Sequence, residues 1–109
     1  MKEKMKNFYS KLKNYKLANL KQRKTELWNV EGILHNQKFK FDTRPIQNNI
    51  KIGNFKTKAD KMVFDIEDQY IIVDIEELHQ YIKENNTKDL KLNDLISKLE
   101  WTIFIPKKS

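Results

Sequence analysis

The chain has 109 residues, about one domain's worth, with a formal net charge of +7 and twelve aromatic side chains that argue against wholesale disorder. It has no cysteine and only two glycines, which excludes disulfide scaffolds, thiol nucleophiles, cysteine zinc clusters and glycine-rich phosphate loops. No apolar run approaches the roughly 20 residues of a membrane span, and no secretory pattern opens the chain, so a cytoplasmic protein with no membrane partner is expected.

Met5, Phe8, Tyr9, Leu12 and Tyr15 recur at helical spacing and predict an N-terminal basic helix flanked by lysines, ending or changing partner near Lys16 with a resumption towards Lys24. From Glu26 the period becomes two. Trp28, Val30, Gly32 and Leu34 fall on one side, and Phe39 and Phe41 alternate with Lys38 and Lys40, which reads as a hairpin of 26–34 with 38–42 around His35-Asn36-Gln37. Ile50 and Ile52 alternate around Lys51, and residues 55–58 read as a lysine-guarded edge strand. The run 62–66, a turn at 67–69 and the run 70–73 form the clearest hairpin signal. Residues 70–73 are apolar on both faces, as a covered central strand requires.

Asp74 and Glu77 match the ends of an N-capping box, with a stripe of Ile75, Leu78 and Ile82 running to Asn85-Asn86. Thr87 or Asn93 caps a last helix carrying Leu92, Leu95, Ile96 and Leu99, and residues 101–105 form a final strand stopped by Pro106. Short connections predict a mainly antiparallel sheet of five to six strands. The expected class is α+β, a single compact domain over 1–109, with the N-terminal helix and two C-terminal-half helices on one face and the other face open to water. Phe64, Ile72, Leu78 and Trp101 are the expected core.

Charge is unevenly placed. Residues 1–61 hold sixteen Lys and Arg against five Asp and Glu, and residues 62–109 hold six against ten. A one-sided basic field favours a polyanion or an acidic protein surface, although a lysine-rich face also serves solubility. Only Arg23 and Arg44 are arginines, which disfavours two-point base readout and favours diffuse attachment. The expected contact residues are Lys38, Lys40, Lys51, Lys56 and Lys58 on a basic sheet face, with Lys11 and Lys13 from the N-terminal helix. Phe39 and Phe41 alternate against the lysines and are expected to point inward, unlike the stacking aromatics of single-strand readers.

Catalytic candidates are few. His35 and His79 fall on separate elements, and Ser10, Ser97 and Ser109 lie in no nucleophile motif. The carboxylates Asp65, Glu67, Asp68, Asp74, Glu76 and Glu77 are concentrated, as in magnesium-dependent nucleases, but no Asp…Glu-x-Lys element follows, and turn and cap duty accounts for several of them. No enzyme activity, cofactor or metal is expected.

A small, cysteine-free chain rich in Lys, Asn and Ile resembles accessory proteins of phages and mobile elements, and among these the anti-CRISPR class of small non-catalytic domains. The resemblance lies in size and composition and carries over no residue. It implies a protein or ribonucleoprotein partner, such as an RNA-guided nuclease with its guide RNA, met through a basic surface. The alternative is a lysine-rich DNA- or RNA-binding accessory protein of a phage or plasmid.

Overall fold

The computed structural model describes residues 8–45, 49–51, 57–85 and 89–107. In chain order the elements are β1 (Lys13–Leu17), α1 (Leu20–Thr25), β2 (Val30–Leu34), β3 (Gln37–Pro45), β4 (Asn49–Lys51), β5 (Lys61–Asp65), β6 (Gln69–Asp74), α2 (Ile75–Asn85), β7 (Asp89–Lys91), α3 (Leu92–Lys98) and β8 (Thr102–Pro106). The class is α+β. A six-stranded sheet has the order β1-β2-β3-β5-β6-β8, and β4 with β7 makes a separate antiparallel ribbon.

The sheet is mixed. Four neighbouring pairs are antiparallel, but β3 and β5 run parallel, Phe41 opposite Lys61 and Arg44 opposite Phe64. The expectation of short turns throughout fails between β3 and β5 because β4 lies in the connection and pairs with β7 instead. A parallel neighbour requires such a long crossover. Ile50 therefore pairs in the ribbon opposite Leu90, and Ile52 and the proposed strand 55–58 lie outside the described residues, apart from Thr57 and Lys58, which are not in a strand.

Both faces of the sheet are covered. On one, Met62, Phe64, Ile71 and Val73 pack against Ile75 and Leu78 of α2 and Leu95 of α3. On the other, Val30, Phe41, Val63, Tyr70 and Ile72 pack against Phe8 and Leu12. Phe64, Ile72 and Leu78 are fully buried, as expected of them, while Trp101 is only partly buried. The second face is not open to water: the N-terminal segment lies across it, opposite the two helices.

That segment also corrects the predicted N-terminal helix. Phe8 and Tyr9 are helical, residues 10–12 turn, and 13–17 form an edge strand beside β2. Residues 1–7, with Met5, lie outside the described residues. Phe8 and Leu12 satisfied helical spacing because both reach one core, not because the helix runs on to Tyr15. Asn14 takes a positive φ of 52° at the point where the β1–β2 register shifts, a conformation asparagine tolerates better than most residues. Gly32 permits the crossing: a Cβ there would lie 3.0 Å from Leu12 Cβ and 3.3 Å from Tyr15 Cβ.

Elsewhere local chemistry and fold agree. The β2–β3 turn is two residues, His35 and Asn36, both at positive φ, the geometry of the twist-matched hairpin turn. Asn19 and Gln22 form a reciprocal capping box on α1. Asp74 Oδ2 accepts the Glu77 amide at 3.1 Å and caps α2.

Candidate functional site

The expected basic sheet face is only partly assembled. Lys38 and Lys40 do share the face opposite Phe39 and Phe41, since they alternate with them along β3. The Lys38 side chain is 67% exposed and 3.7 Å from Glu31, a separation at which an exposed pair contributes little. Lys40 is held: its Nζ lies 5.4 Å from the centre of the Trp28 ring, and its amide donates to Asp60 Oδ2 at 2.8 Å. Glu31 and Asp60 thus dilute the positive charge there. Lys51 is in β4, so it belongs to the ribbon and not to the sheet that carries Lys38 and Lys40. Lys56 lies outside the described residues. Lys58 is exposed, Lys13 is exposed on β1, and Lys11 is partly buried in the turn before it. Phe39 and Phe41 point to the core side, as their alternation requires.

A different basic surface is formed by β1 and α1. Residues 13–25 contain Lys13, Lys16, Lys21, Arg23 and Lys24 and no acidic residue. Of these thirteen positions only Ala18 is buried. Three apolar side chains are exposed among the cations: Tyr15 at 50%, Leu17 at 45% and Leu20 at 68%. Isolated exposed apolar residues are ordinary, but three on one short basic segment make it the candidate contact surface. The charge of the segment is visible in the sequence, whose first 24 residues hold nine Lys and Arg against Glu3. Its exposure is not, because the helical spacing of Tyr15 with Phe8 and Leu12 predicts an inward face. The other arginine, Arg44, is engaged in a two-point ion pair with buried Asp42 at 3.1 and 3.3 Å.

Three of the carboxylates that suggest a metal, Asp65, Asp74 and Glu77, have structural tasks. Asp65 pairs with Lys107 at 2.5 Å beneath Tyr70. Burial raises the Tyr70 phenol above its ordinary pKa, and the Asp65 charge adds to the rise. Asp74 caps α2 with one oxygen and pairs with Lys61 at 2.6 Å through the other. Glu77 does not complete the expected capping box. Its two oxygens instead accept consecutive amides of the loop before β8, Glu100 at 3.0 Å and Trp101 at 2.7 Å. Among the described residues no group of three or more His, Asp or Glu side chains is placed to hold a metal ion. His35 is in the turn of the β2–β3 hairpin, within the sheet, and His79 is on α2, which covers one face of it.

Glu77 and Asp74 together organise a row across the sheet. Lys61 on β5 stands opposite Asp74 on β6, and Trp101 lies just before β8, next to Thr102, which pairs with Val73. The nearly buried Lys61 ammonium lies 3.8 Å from the Trp101 ring centre and 4.9 Å from that of Phe39. A cation so desolvated needs both an anion and aromatic faces around it. Phe39 and Trp101 have ring centres 6.1 Å apart, although β3 and β8 are three strand spacings apart, about 14 Å in a flat sheet. The two long side chains lean toward each other to meet, and a cleft lined by Leu34, His35, Gln37, Phe39, Trp101 and Ile103 opens beside them.

Among the described residues no helix is long and apolar enough to cross a membrane. Searches with the whole chain return no matching protein-family model, no matching curated protein and no matching solved structure, so no family is assigned to it.

Proposed function

We propose that this protein is a small non-catalytic binding domain of the anti-defence type, an inhibitor that engages an RNA-guided nuclease or its guide-RNA complex through a basic surface. The observation that carries the reading is the 13–25 segment: five cations without an anion, interleaved with three exposed apolar side chains. The cations suit an environment dominated by phosphate or carboxylate. Leu17 and Leu20 gain nothing from phosphate, so they suit a protein surface within that environment. A ribonucleoprotein offers both. A basic domain does not imitate DNA. It competes instead for the path of the nucleic acid or for the acidic protein surface beside it.

The test is a comparison of partners. The purified protein is titrated against an RNA-guided nuclease with and without guide RNA, and against the free RNA, at about 150 mM salt, where purely electrostatic attachment is already weakened. Tight binding to the complex with loss of target cleavage, and weak binding to free RNA, is the expected result. Binding to free RNA or DNA at micromolar strength or better, with no effect on cleavage, would replace the reading by that of a lysine-rich nucleic-acid accessory protein.

A further inference from the structure

We propose that the outer edge of β1, together with α1, is a docking site for an extended acidic segment of a protein partner, which adds to the sheet as a further strand. The inference rests on the reading that the partner includes protein, and it names how that protein is held.

β1 is terminal in the strand order, and among the described residues nothing pairs with its outer side. The direction of its backbone groups follows from the ladder. Ala18 donates its amide to the Asn29 carbonyl at 2.9 Å, and Leu17 and Lys16 stand opposite Val30 and Glu31. In an antiparallel pair, hydrogen-bonded positions alternate, so Leu17 turns its N–H and C=O away from β2. An incoming strand finds a donor and an acceptor there, at the residue whose side chain is also 45% exposed.

The lysines and the irregularity at Asn14 also hinder pairing, and that is a common use of them on sheet edges. Here they select instead of merely blocking. A second copy of this chain brings five more cations to the same edge, so edge-to-edge self-pairing is repelled. An acidic strand is attracted by the same charges, Lys13 and Lys16 on β1 and Lys21, Arg23 and Lys24 on α1. The irregularity confines regular pairing to the stretch after Asn14, beside Leu17. Tyr15 stacks on Tyr9, with ring centres 5.4 Å apart and planes at 27°, so half of its surface is presented already ordered. Tyr15, Leu17 and Leu20 provide apolar contacts for alternate side chains of the added strand, the recognition mode in which main-chain bonds hold and side-chain contacts select.

The test uses the intact protein and three probes: a short synthetic peptide alternating Glu with Val, a poly-glutamate of equal charge, and an oligothymidylate. The alternating peptide is expected to bind more tightly than either of the others. On binding, exchange of the Leu17 amide with deuterated solvent is expected to slow by about tenfold or more, a change that docking through side chains alone would not produce. Leu17→Pro removes the outward N–H while leaving the β1–β2 ladder intact, as proline on an edge strand allows. It is expected to weaken the peptide about tenfold with unchanged far-ultraviolet circular dichroism. Lys16→Glu with Lys21→Glu and Lys24→Glu is expected to slow association by about an order of magnitude. Equal affinity for poly-glutamate or for oligothymidylate, or an unprotected Leu17 amide in the bound state, overturns the proposal. So does folded Leu17→Pro that binds as the parent does. Peptide binding with these signatures but no effect on an RNA-guided nuclease supports this site and removes the nuclease as target. Inhibition of the nuclease undiminished by Leu17→Pro does the reverse.

Discussion

Replacing Glu77 by alanine tests whether one carboxylate fixes the entry to β8. Its two oxygens accept the amides of Glu100 and Trp101 at 3.0 and 2.7 Å. Hydrogen bonds to a charged group contribute roughly 1.5–3 kcal/mol each when well desolvated. The Glu100 bond is exposed and the Trp101 bond part-buried, so the pair is worth about 2–3 kcal/mol in this setting. For a domain near 100 residues, each kcal/mol moves the melting midpoint by about 4–8 °C, so Glu77→Ala should lower it by about 10–20 °C. Glu77→Gln keeps one acceptor and turns an amino group towards the second amide, so it should lose at least half as much. Thermal and urea melts followed by far-ultraviolet circular dichroism measure both. Trp101 emission should also shift to longer wavelength in the alanine variant before the main transition, because its ring is no longer fixed over Lys61. A Glu77→Ala midpoint within about 2 °C of the parent would show that the loop is held by apolar contacts alone. It would also refute the assignment of Glu77 to loop anchoring.

Phe64→Ala empties a fully buried position between the sheet and the helices and should cost about 3–5 kcal/mol in a denaturant titration, close to the whole stability of many small domains. Gly32→Val should cost about 1–3 kcal/mol by pressing on Leu12, and Leu12→Ala in the same chain should recover part of that loss, a non-additivity readable from a double-mutant cycle. Tyr70 has its pKa raised by burial and by Asp65, so its phenol stays protonated in the folded state when the unfolded chain begins to lose that proton near pH 10. Stability then falls as pH rises above that value, since the unfolded state binds fewer protons. Tyr70→Phe should make the urea midpoint less dependent on pH between about 9 and 11 than the parent's; an identical slope would contradict the shift.

Several elements were legible because their information is local. The β5–β6 hairpin is announced by two apolar runs and a polar turn, and the all-apolar run 70–73 signals burial on both sides, as β6 shows. Asp74 stops a strand and caps a helix through its own side chain, so its position alone marks the boundary. The β2–β3 register follows from alternation, which sends Val30, Gly32, Phe39 and Phe41 to one side and Glu31, Lys38 and Lys40 to the other. Of the expected contact residues, this puts Lys38 and Lys40 on the side away from Phe39 and Phe41, but alternation says nothing of the helices that cover that side, nor of the Trp28 ring and Asp60 carboxylate that engage Lys40.

Charge count and hydrophobic period were properties of the sequence by itself: they determined that the first half is basic, that 62–66 and 70–73 pair, and that helices follow Asp74. Tertiary structure alone decided the partners. Phe8 and Leu12 have the spacing of a helix face, yet the chain turns into strand β1, because an open edge beside β2 satisfies its backbone and Gly32 leaves room for Leu12. Nothing local distinguishes a parallel from an antiparallel neighbour for β3, since the choice depends on what the intervening 15 residues pair with, and β4 pairs with β7, forty residues further on. Glu77 has the spacing of a capping residue, but the amides of Glu100 and Trp101, brought near by the packing of α2, α3 and β8, take both its oxygens. The 13–25 surface follows the same rule. Its charge is written in the sequence, but its exposure exists only because the N-terminal segment spends Phe8 and Leu12 on the core and leaves Tyr15, Leu17 and Leu20 on the edge. Burial is a property of pairs of segments distant in the chain, and one segment's pattern reports its own period without its partner's position.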